Sequence, residues 1–327
     1  MIKLDSITTE TPIDCLINHN SDFDNSQLSS RGVLTSDKLL WKKPLFGVKS
    51  IAIDQLNNTL VIDASAKVLK DQYYDMINLN TIDRFVNEIN KSGVIQIDAD
   101  KFINQSIVRK VDTTINTHPD KPLETYFGSL SYLPITDKYN VGRYKGVGNR
   151  GVVFAGTQKT FKERQIFYDK LKDIFRDKEL RKVVPGATLE KQFTNVLRVE
   201  TNFTDFKHIR KYFNSDNKLI QMLQSEATPN LSVFDKITTK VPIDLRLFKE
   251  WEGLKFYEIE KLEGRKSIIR MLNYDIGTIK TFIEARVGGN VSRYIRSYSE
   301  TLMSMQGERG VIDTSAIDEL RLLMKVA

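Results

Sequence analysis

Val108-Arg109-Lys110-Val111-Asp112-Thr113-Thr114-Ile115, Gln165-Ile166-Phe167-Tyr168-Asp169-Lys170 and Val196-Leu197-Arg198-Val199-Glu200-Thr201 all read as β-strands, and each carries an acid that a plain core strand does not require. Side chains alternate between the two faces of a strand. In the first stretch Val111 and Ile115 share one face, and Lys110, Asp112 and Thr114 share the other. In the third, Leu197, Val199 and Phe203 lie opposite Arg198, Glu200 and Asn202. The second strand ends at Asp169, so the face taken by that residue is set only approximately. If the three strands are neighbours, Asp112, Asp169 and Glu200 converge on one polar face.

Working outward, Gly47–Asp54 and Thr59–Lys67 form a strand–turn–strand around Leu56-Asn57-Asn58. Ile82, Phe85, Val86 and Ile89 have helical spacing after Thr81, a candidate N-cap. Strands are predicted at Gly93–Ile97 and Ile107–Asn116. Tyr139–Val147 and Gly151–Thr157 make a hairpin around Gly146-Val147-Gly148-Asn149. The strand Arg164–Asp169 runs into a helix from Lys170, and the strand Asn195–Phe203 precedes a helix over Asp205–Tyr212. From about Leu219 the chain reads as mainly helical, with strong segments at Ile276–Arg286 and Val291–Met303. The class is α+β: a largely antiparallel sheet with helices on one side. A doublet of related βαβ-like halves is compatible with this order, though the repeat is faint. The predicted division is an irregular N-terminal segment (1–45), a catalytic sheet domain (46–213) and a mainly helical C-terminal region (214–327).

The 327 residues are 40% hydrophobic and 28% charged, enough for a substantial core and a solvated surface. Cys15 is the sole cysteine, which excludes an internal disulfide and suits a reducing compartment. The first twenty residues lack a basic start and an unbroken apolar run, so no signal peptide is expected. No stretch approaches the roughly 20 apolar residues that span a bilayer, so a cytoplasmic protein without a membrane partner is expected. Residues 138–182 hold thirteen Lys or Arg against five Asp or Glu, an excess larger than the +7 of the whole chain. Tyr139, Tyr144, Phe154, Phe161, Phe167, Tyr168 and Phe175 lie among them. Cations neutralise phosphates and aromatic faces stack unpaired bases, so a nucleic-acid surface competes here with an ordinary solvated one.

Three carboxylates on one face repel one another unless a cation sits among them. Oxygen-only ligation suits Mg²⁺ or Mn²⁺, which polarises a phosphate. His19, His118 and His208 are too scattered for a histidine-pair metal motif or, with one cysteine, for zinc, and there is no Walker A loop.

The order Arg109-Lys110-Val111-Asp112, then Phe154-Ala155-Gly156-Thr157-Gln158-Lys159-Thr160, then Ile166-Phe167-Tyr168-Asp169-Lys170, then Leu197-Arg198-Val199-Glu200 resembles the rolling-circle replication initiators of phages and plasmids. These include filamentous-phage gene II/X-type proteins and the Rep_trans plasmid initiators. Their patterns read approximately R-h-D, G-S-x-x-S, h-Y-D-K and h-R-h-E, where h is apolar. The match covers roughly residues 107–203. Thr157 and Thr160 stand where the pattern has serines, and the first motif has an extra residue between Arg109 and Asp112.

The resemblance implies metal ligation by Asp112, Asp169 and Glu200 and attack on DNA by a tyrosine. Tyr168, beside Lys170, is the first candidate nucleophile. Tyr144 and Tyr139 are alternatives, and Tyr294 and Tyr298 are more distant ones. Expected DNA contacts are Arg143, Lys145, Arg150, Lys159, Arg164 and Arg198, with Lys162 a further candidate. The expected function is nicking and later rejoining of one strand at an origin, on single-stranded or supercoiled duplex DNA, with host helicase and polymerase as partners. A conjugative relaxase and a non-catalytic DNA- or RNA-binding protein are the alternatives. Arg286, Arg293 and Arg296 sit on the C-terminal helices, where packing on the sheet is expected over a DNA grip.

Overall fold

Residues 2–30, 33–133, 135–136, 138–144, 151–157, 163–238, 253–272, 275–286, 291–305 and 314–326 are described in a computed structural model. Its strands, in chain order, are β1 (Leu4–Pro12), β2 (Leu16–His19), β3 (Asp24–Ser30), β4 (Val33–Trp41), β5 (Val48–Asp54), β6 (Thr59–Ser65), β7 (Ile95–Ile97), β8 (Ile107–Thr117), β9 (Tyr139–Arg143), β10 (Gly151–Gly156), β11 (Glu163–Asp169) and β12 (Leu197–Phe203). Ten of these make one antiparallel sheet in the order β3-β4-β5-β6-β1-β8-β12-β11-β10-β9, and β2 pairs separately with β7. The α+β class expected from the alternation is what the chain adopts.

The order contains a doublet. In each half a first strand (β1 or β8) lies at the centre. The next four sheet strands then run from the outer edge inward until the last (β6 or β12) pairs with the first. The halves are thus five-strand antiparallel units, not βαβ units, and they join along β1 and β8.

The segment 1–45 is therefore not irregular. Leu4–Pro12 is a central strand, flanked by β6 and β8. Its core face is partly written in threonine: Thr9 and Thr11 are fully buried. The Thr11 hydroxyl bonds that of Ser106 at 2.6 Å. Threonine suits an extended backbone because of its branched Cβ, but its polarity hides the alternation.

One face of the sheet is apolar. Val111, Leu197, Val199, Phe203 and Phe167 are buried there, each contributing roughly 1.5–3 kcal/mol. Helices α1 (Ile82–Asn90), α2 (Ala99–Gln105) and α3 (Leu123–Tyr132) are followed by α4 (Lys170–Ile174), α5 (Lys178–Val183), α6 (Gly186–Phe193), α7 (Phe206–Phe213), α8 (Leu219–Gln224) and α9 (Pro229–Ile237). α3, α7 and α9 pack on the apolar face. Thr81 precedes α1 but does not cap it; its hydroxyl donates to the Met76 carbonyl instead. The opposite face is polar. Its end near Arg198 is closed by the turn Ala66–Asp75 and by α6, whose Tyr73 and Phe193 rings flank the guanidinium, and Val153, Ile166 and Tyr168 form a small buried apolar patch on it.

The C-terminal region is helical but divides its packing. The helices Phe256–Met271, Ile276–Arg286 and Val291–Ser304 surround a small core of their own, built on Ile269, Ile279, Ile283, Tyr298 and Leu302. The last helix, Thr314–Val326, returns to the main core through Ala316, Ile317, Leu320 and Met324. Among the described residues no helix is long and apolar enough to cross a membrane.

Candidate functional site

The register decides which side chains meet. Asp112 on β8 lies opposite Ser6 on β1 and Asn202 on β12. Two residues along β12, Glu200 faces Ile166 on β11, and two further, Arg198 faces Tyr168. Asp112, Asn202, Glu200, Arg198 and Tyr168 therefore share the polar face.

Asp112 accepts from the Ser6 hydroxyl at 2.5 Å and from the Asn202 amide at 2.7 Å. The same amide nitrogen donates to Glu200 at 3.1 Å, so one NH₂ group bridges the two carboxylates. Glu200 accepts the Tyr168 hydroxyl at 3.0 Å. Burial pushes the Glu200 carboxyl up to about 7, with Asp5 and Asp112 adding to the rise. Burial likewise raises Asp112, against the pull of its Ser6 and Asn202 hydrogen bonds. Burial, followed by the Glu200 charge, holds the Tyr168 phenol well above its ordinary value.

Asp5 belongs to this cluster and the alternation concealed it. Between Leu4 and Ser6 the β1–β8 register shifts by a bulge, which lets two successive residues turn to the same side. Asp5 accepts from Arg198 at 3.2 Å and from the Tyr73 hydroxyl at 3.1 Å. Burial alone would raise its carboxyl, but Arg198, Lys170 and the Tyr73 hydroxyl outweigh that and hold it low.

Three expected placements need correction. Asp169 lies opposite Leu197, on the other face from Tyr168. It caps α4, accepting from the Lys172 amide at 3.2 Å and pairing with the Lys172 ammonium at 3.0 Å. Strict alternation separates it from Asp112 and Glu200, and no bulge intervenes on β11. Arg198 is wholly buried, bonded to Asp5, to Asn116 at 2.9 Å and to the Tyr73 hydroxyl at 3.0 Å. It lies beneath the site with no exposed surface to offer DNA. Arg143 is exposed but shares its row with Val152 and Phe167, so it faces a hollow beside α3.

Lys170 is buried, pairs with Asp173 at 2.6 Å, and lies 5.3 Å from the Tyr73 ring and 5.5 Å from that of Tyr168. Burial and Arg198 oppose its charge, but Tyr73, Asp173 and Asp5 keep it protonated. Arg109 is accounted for by its ion pair with Glu10 at 2.6 Å. Arg164, opposite Asn202, is exposed on the polar face. Lys145, Arg150, Lys159 and Lys162 lie outside the described residues.

Above the carboxylates runs an open groove of about 660 Å³, bordered by Lys49, Lys110, Arg164, Tyr144, Asp112 and Glu200. Tyr144 stands over Tyr168, ring centroids 4.9 Å apart. They meet across Gly151, where a Cβ would come within 3.0 Å of the Cβ atoms of both tyrosines and 2.7 Å of the Phe167 carbonyl. Tyr168 is only 2% exposed, whereas Tyr144 is half-buried and lines the groove. Tyr139 is buried on the core side with its hydroxyl on Glu163 at 2.8 Å.

Among the described residues no group of three or more His, Cys, Asp or Glu side chains is arranged to hold a metal. A smaller oxygen set is present in Asp112, Glu200, the Asn202 amide and the Ser6 hydroxyl. Both carboxyls are raised in part by nearby negative charge, which is the electrostatics of a place that favours a cation. Mg²⁺ characteristically takes one or two carboxylates plus water and phosphate, so this donor set fits such an ion. Sequence reasoning missed Asp5, Tyr73 and Asn202. Asn202 alone had a signal, sharing its strand face with Glu200.

No protein-family model matches the chain, and no curated protein matches it in sequence.

Proposed function

We propose that this chain is a DNA strand-transferase of the rolling-circle initiator kind, which cuts one strand through a phosphotyrosine link and later reseals it. The observation that carries the reading is the Tyr168–Glu200–Asn202–Asp112 chain of hydrogen bonds at the floor of an open groove with Lys49, Lys110 and Arg164 on its borders. The geometry supports Glu200 as the general base. Its carboxylate already accepts the hydrogen bond of the Tyr168 hydroxyl, whose proton is lost on attack. The phenolate oxygen bonds to phosphorus, the P–O3′ bond breaks, and the freed 3′-oxygen takes a proton. The 5′-phosphotyrosine conserves the ester, so a later 3′-hydroxyl can displace the tyrosine and restore the strand. Lys170 and Arg198, fixed behind Tyr168, offset the negative charge of the phenolate. Asp112 and Glu200, with Asn202, would hold Mg²⁺ or Mn²⁺, which when bound supplies Lewis-acid polarisation of the phosphate.

The exposure of Tyr144 favours a second assignment of the nucleophile. In that arrangement Tyr144 attacks from the groove and Tyr168 lies beneath it as a link to Glu200.

The test is incubation with supercoiled and single-stranded DNA and a divalent ion, followed by denaturing electrophoresis. A detergent-resistant adduct is expected, abolished by Tyr168→Phe, and mass spectrometry of the adduct peptide identifies the tyrosine. An adduct retained in Tyr168→Phe and lost in Tyr144→Phe transfers the role. Intact DNA with a gel shift overturns the enzyme in favour of a binding protein. Origin nicking and transfer-origin nicking use the same chemistry, so a conjugative relaxase is distinguished by its substrate sequence.

A further inference from the structure

The helices Phe256–Met271 and Val291–Ser304 pack around a small core with Ile276–Arg286, not against the sheet as the sequence led us to expect. Between them lies a cleft of about 550 Å³ that the proposed nicking site does not use. Its walls are Lys261, Gly264 and Arg265 on one helix, and Arg293, Tyr294, Ser297 and Tyr298 on the other. The first three positions have i, i+3, i+4 spacing, which places them on one helix face. The second set occupies two successive turns. Among the described residues no carboxylate borders the cleft, although helix Phe256–Met271 carries Glu258, Glu260 and Glu263 elsewhere on its surface.

Lys261 and Arg293 are exposed and Arg265 is half-exposed. Among the described residues none of the three is paired with an acid; Lys261 lies 5.1 Å from the Tyr257 ring. By contrast, nearby Arg296 is paired with Glu300 and Lys266 with Glu263. Three cations held facing one another across a cleft repel, and an anion between them relieves that repulsion. Arg, Lys, Ser and Tyr are side chains that contact DNA phosphates, and the described lining residues include no Asn or Gln of the kind that reads adenine. Gly264 borders open space, where a Cβ meets nothing within 4 Å. Single-strand binding uses successive exposed rings; of the two rings in the cleft lining Tyr294 is exposed and Tyr298 is buried, so the lining itself presents no stacking row.

We infer that this helical unit is a second nucleic-acid site, gripping the phosphate backbone of duplex DNA without reading its sequence, through Lys261, Arg265 and Arg293. It does not depend on the nicking chemistry, because no residue of the Asp112–Glu200 cluster takes part.

The experiment uses the full chain and a fluorescein-labelled duplex of arbitrary sequence, with binding followed by anisotropy over a range of salt concentrations. In Lys261→Gln/Arg265→Gln/Arg293→Gln the slope of log K against log salt is expected to fall by about 2–3, with affinity lowered on the order of a hundredfold. Lys280→Gln/Arg286→Gln removes charge from the third helix, outside the cleft, and is expected to change the slope by less than about half as much. An unchanged slope in the triple variant, or an equal change in the control, overturns the site. A single strand of the same length that binds as tightly and loses the same slope overturns the duplex assignment. Circular dichroism checks that the triple variant is folded. If it is not, Arg293→Glu alone, on an exposed turn, must still weaken binding for the inference to stand. Asp112→Asn must leave this binding unchanged while abolishing nicking. That outcome separates failure of the cleft from failure of the catalytic reading.

Discussion

Replacing Glu200 by Gln is expected to change stability with opposite sign at low and high pH. The Glu200 carboxyl is held at about 7 instead of 4.5, chiefly by burial and then by Asp5 and Asp112. Because its folded value is raised, its favourable contribution is fully present below about pH 4.5 and is lost as pH rises through about 7. The full shift corresponds to about 3 kcal/mol. Water in the groove screens a residue that is only half-buried, which reduces this to about 1–2 kcal/mol. Gln keeps the shape but cannot ionise. It can offer its carbonyl to Tyr168 or to Asn202, not to both, at a cost of about 1 kcal/mol. At pH 5 the variant should therefore be less stable than the wild type by about 1 kcal/mol. At pH 8.5 it should be equal or more stable, a swing of about 1–2 kcal/mol in the difference. Urea unfolding followed by circular dichroism, with a chelator present, measures this across the pH range. A difference that stays flat within about 0.5 kcal/mol, or swings the other way, refutes the account of Glu200 as a strained carboxylate. Repeating the series with excess Mg²⁺ should shrink the swing, because a cation between Asp112 and Glu200 stabilises the charged form.

Asp112→Asn should abolish nicking while leaving DNA affinity nearly intact, since phosphate contacts belong to lysines and arginines; gel shift and plasmid relaxation together check this. Arg198→Met should destabilise by about 3–5 kcal/mol because it removes a buried guanidinium and leaves the part-buried Asp5 carboxylate without it. The double change with Asp5→Leu should recover most of that loss in urea unfolding. Gly151→Ala should cost about 1–3 kcal/mol and prise Tyr144 from Tyr168, visible as a lower midpoint of thermal unfolding and slower adduct formation. Substituting Lys110 and Arg164 should flatten the salt dependence of DNA binding more than substituting Arg143, which faces away from the groove.

Much of the secondary structure was legible because local spacing carries it. β8 and β12 alternate apolar and polar letters over much of their length, β5, β6 and β11 carry short runs of β-branched or aromatic letters, and α1 repeats its apolar residues at helical spacing. β1 escaped because Thr9 and Thr11 fill core positions and Asp5 sits in a bulge, so the period of two is broken in the letters though not in the backbone. Alternation put Asp112 and Glu200 each on the polar face of its own strand, and the β8–β12 pairing made that one face. The same rule separates Tyr168 from Asp169 on β11, and the pairing with β12 decides that Tyr168 is the one on their face.

The sequence by itself determined that these strands exist, which side chains each presents to either face, and that acids and cations accumulate around them. It could not say which strands are neighbours, because pairing joins residues about a hundred positions apart, such as Ser6 with Asp112. Only the tertiary structure decided that Asn202 bridges two carboxylates, that a glycine lets two tyrosines stack, and that Arg198 is buried on Asp5 instead of exposed to DNA. Burial decides whether a charge binds a partner or supports a site, and burial is a property of the assembled sheet, with no counterpart in any single strand.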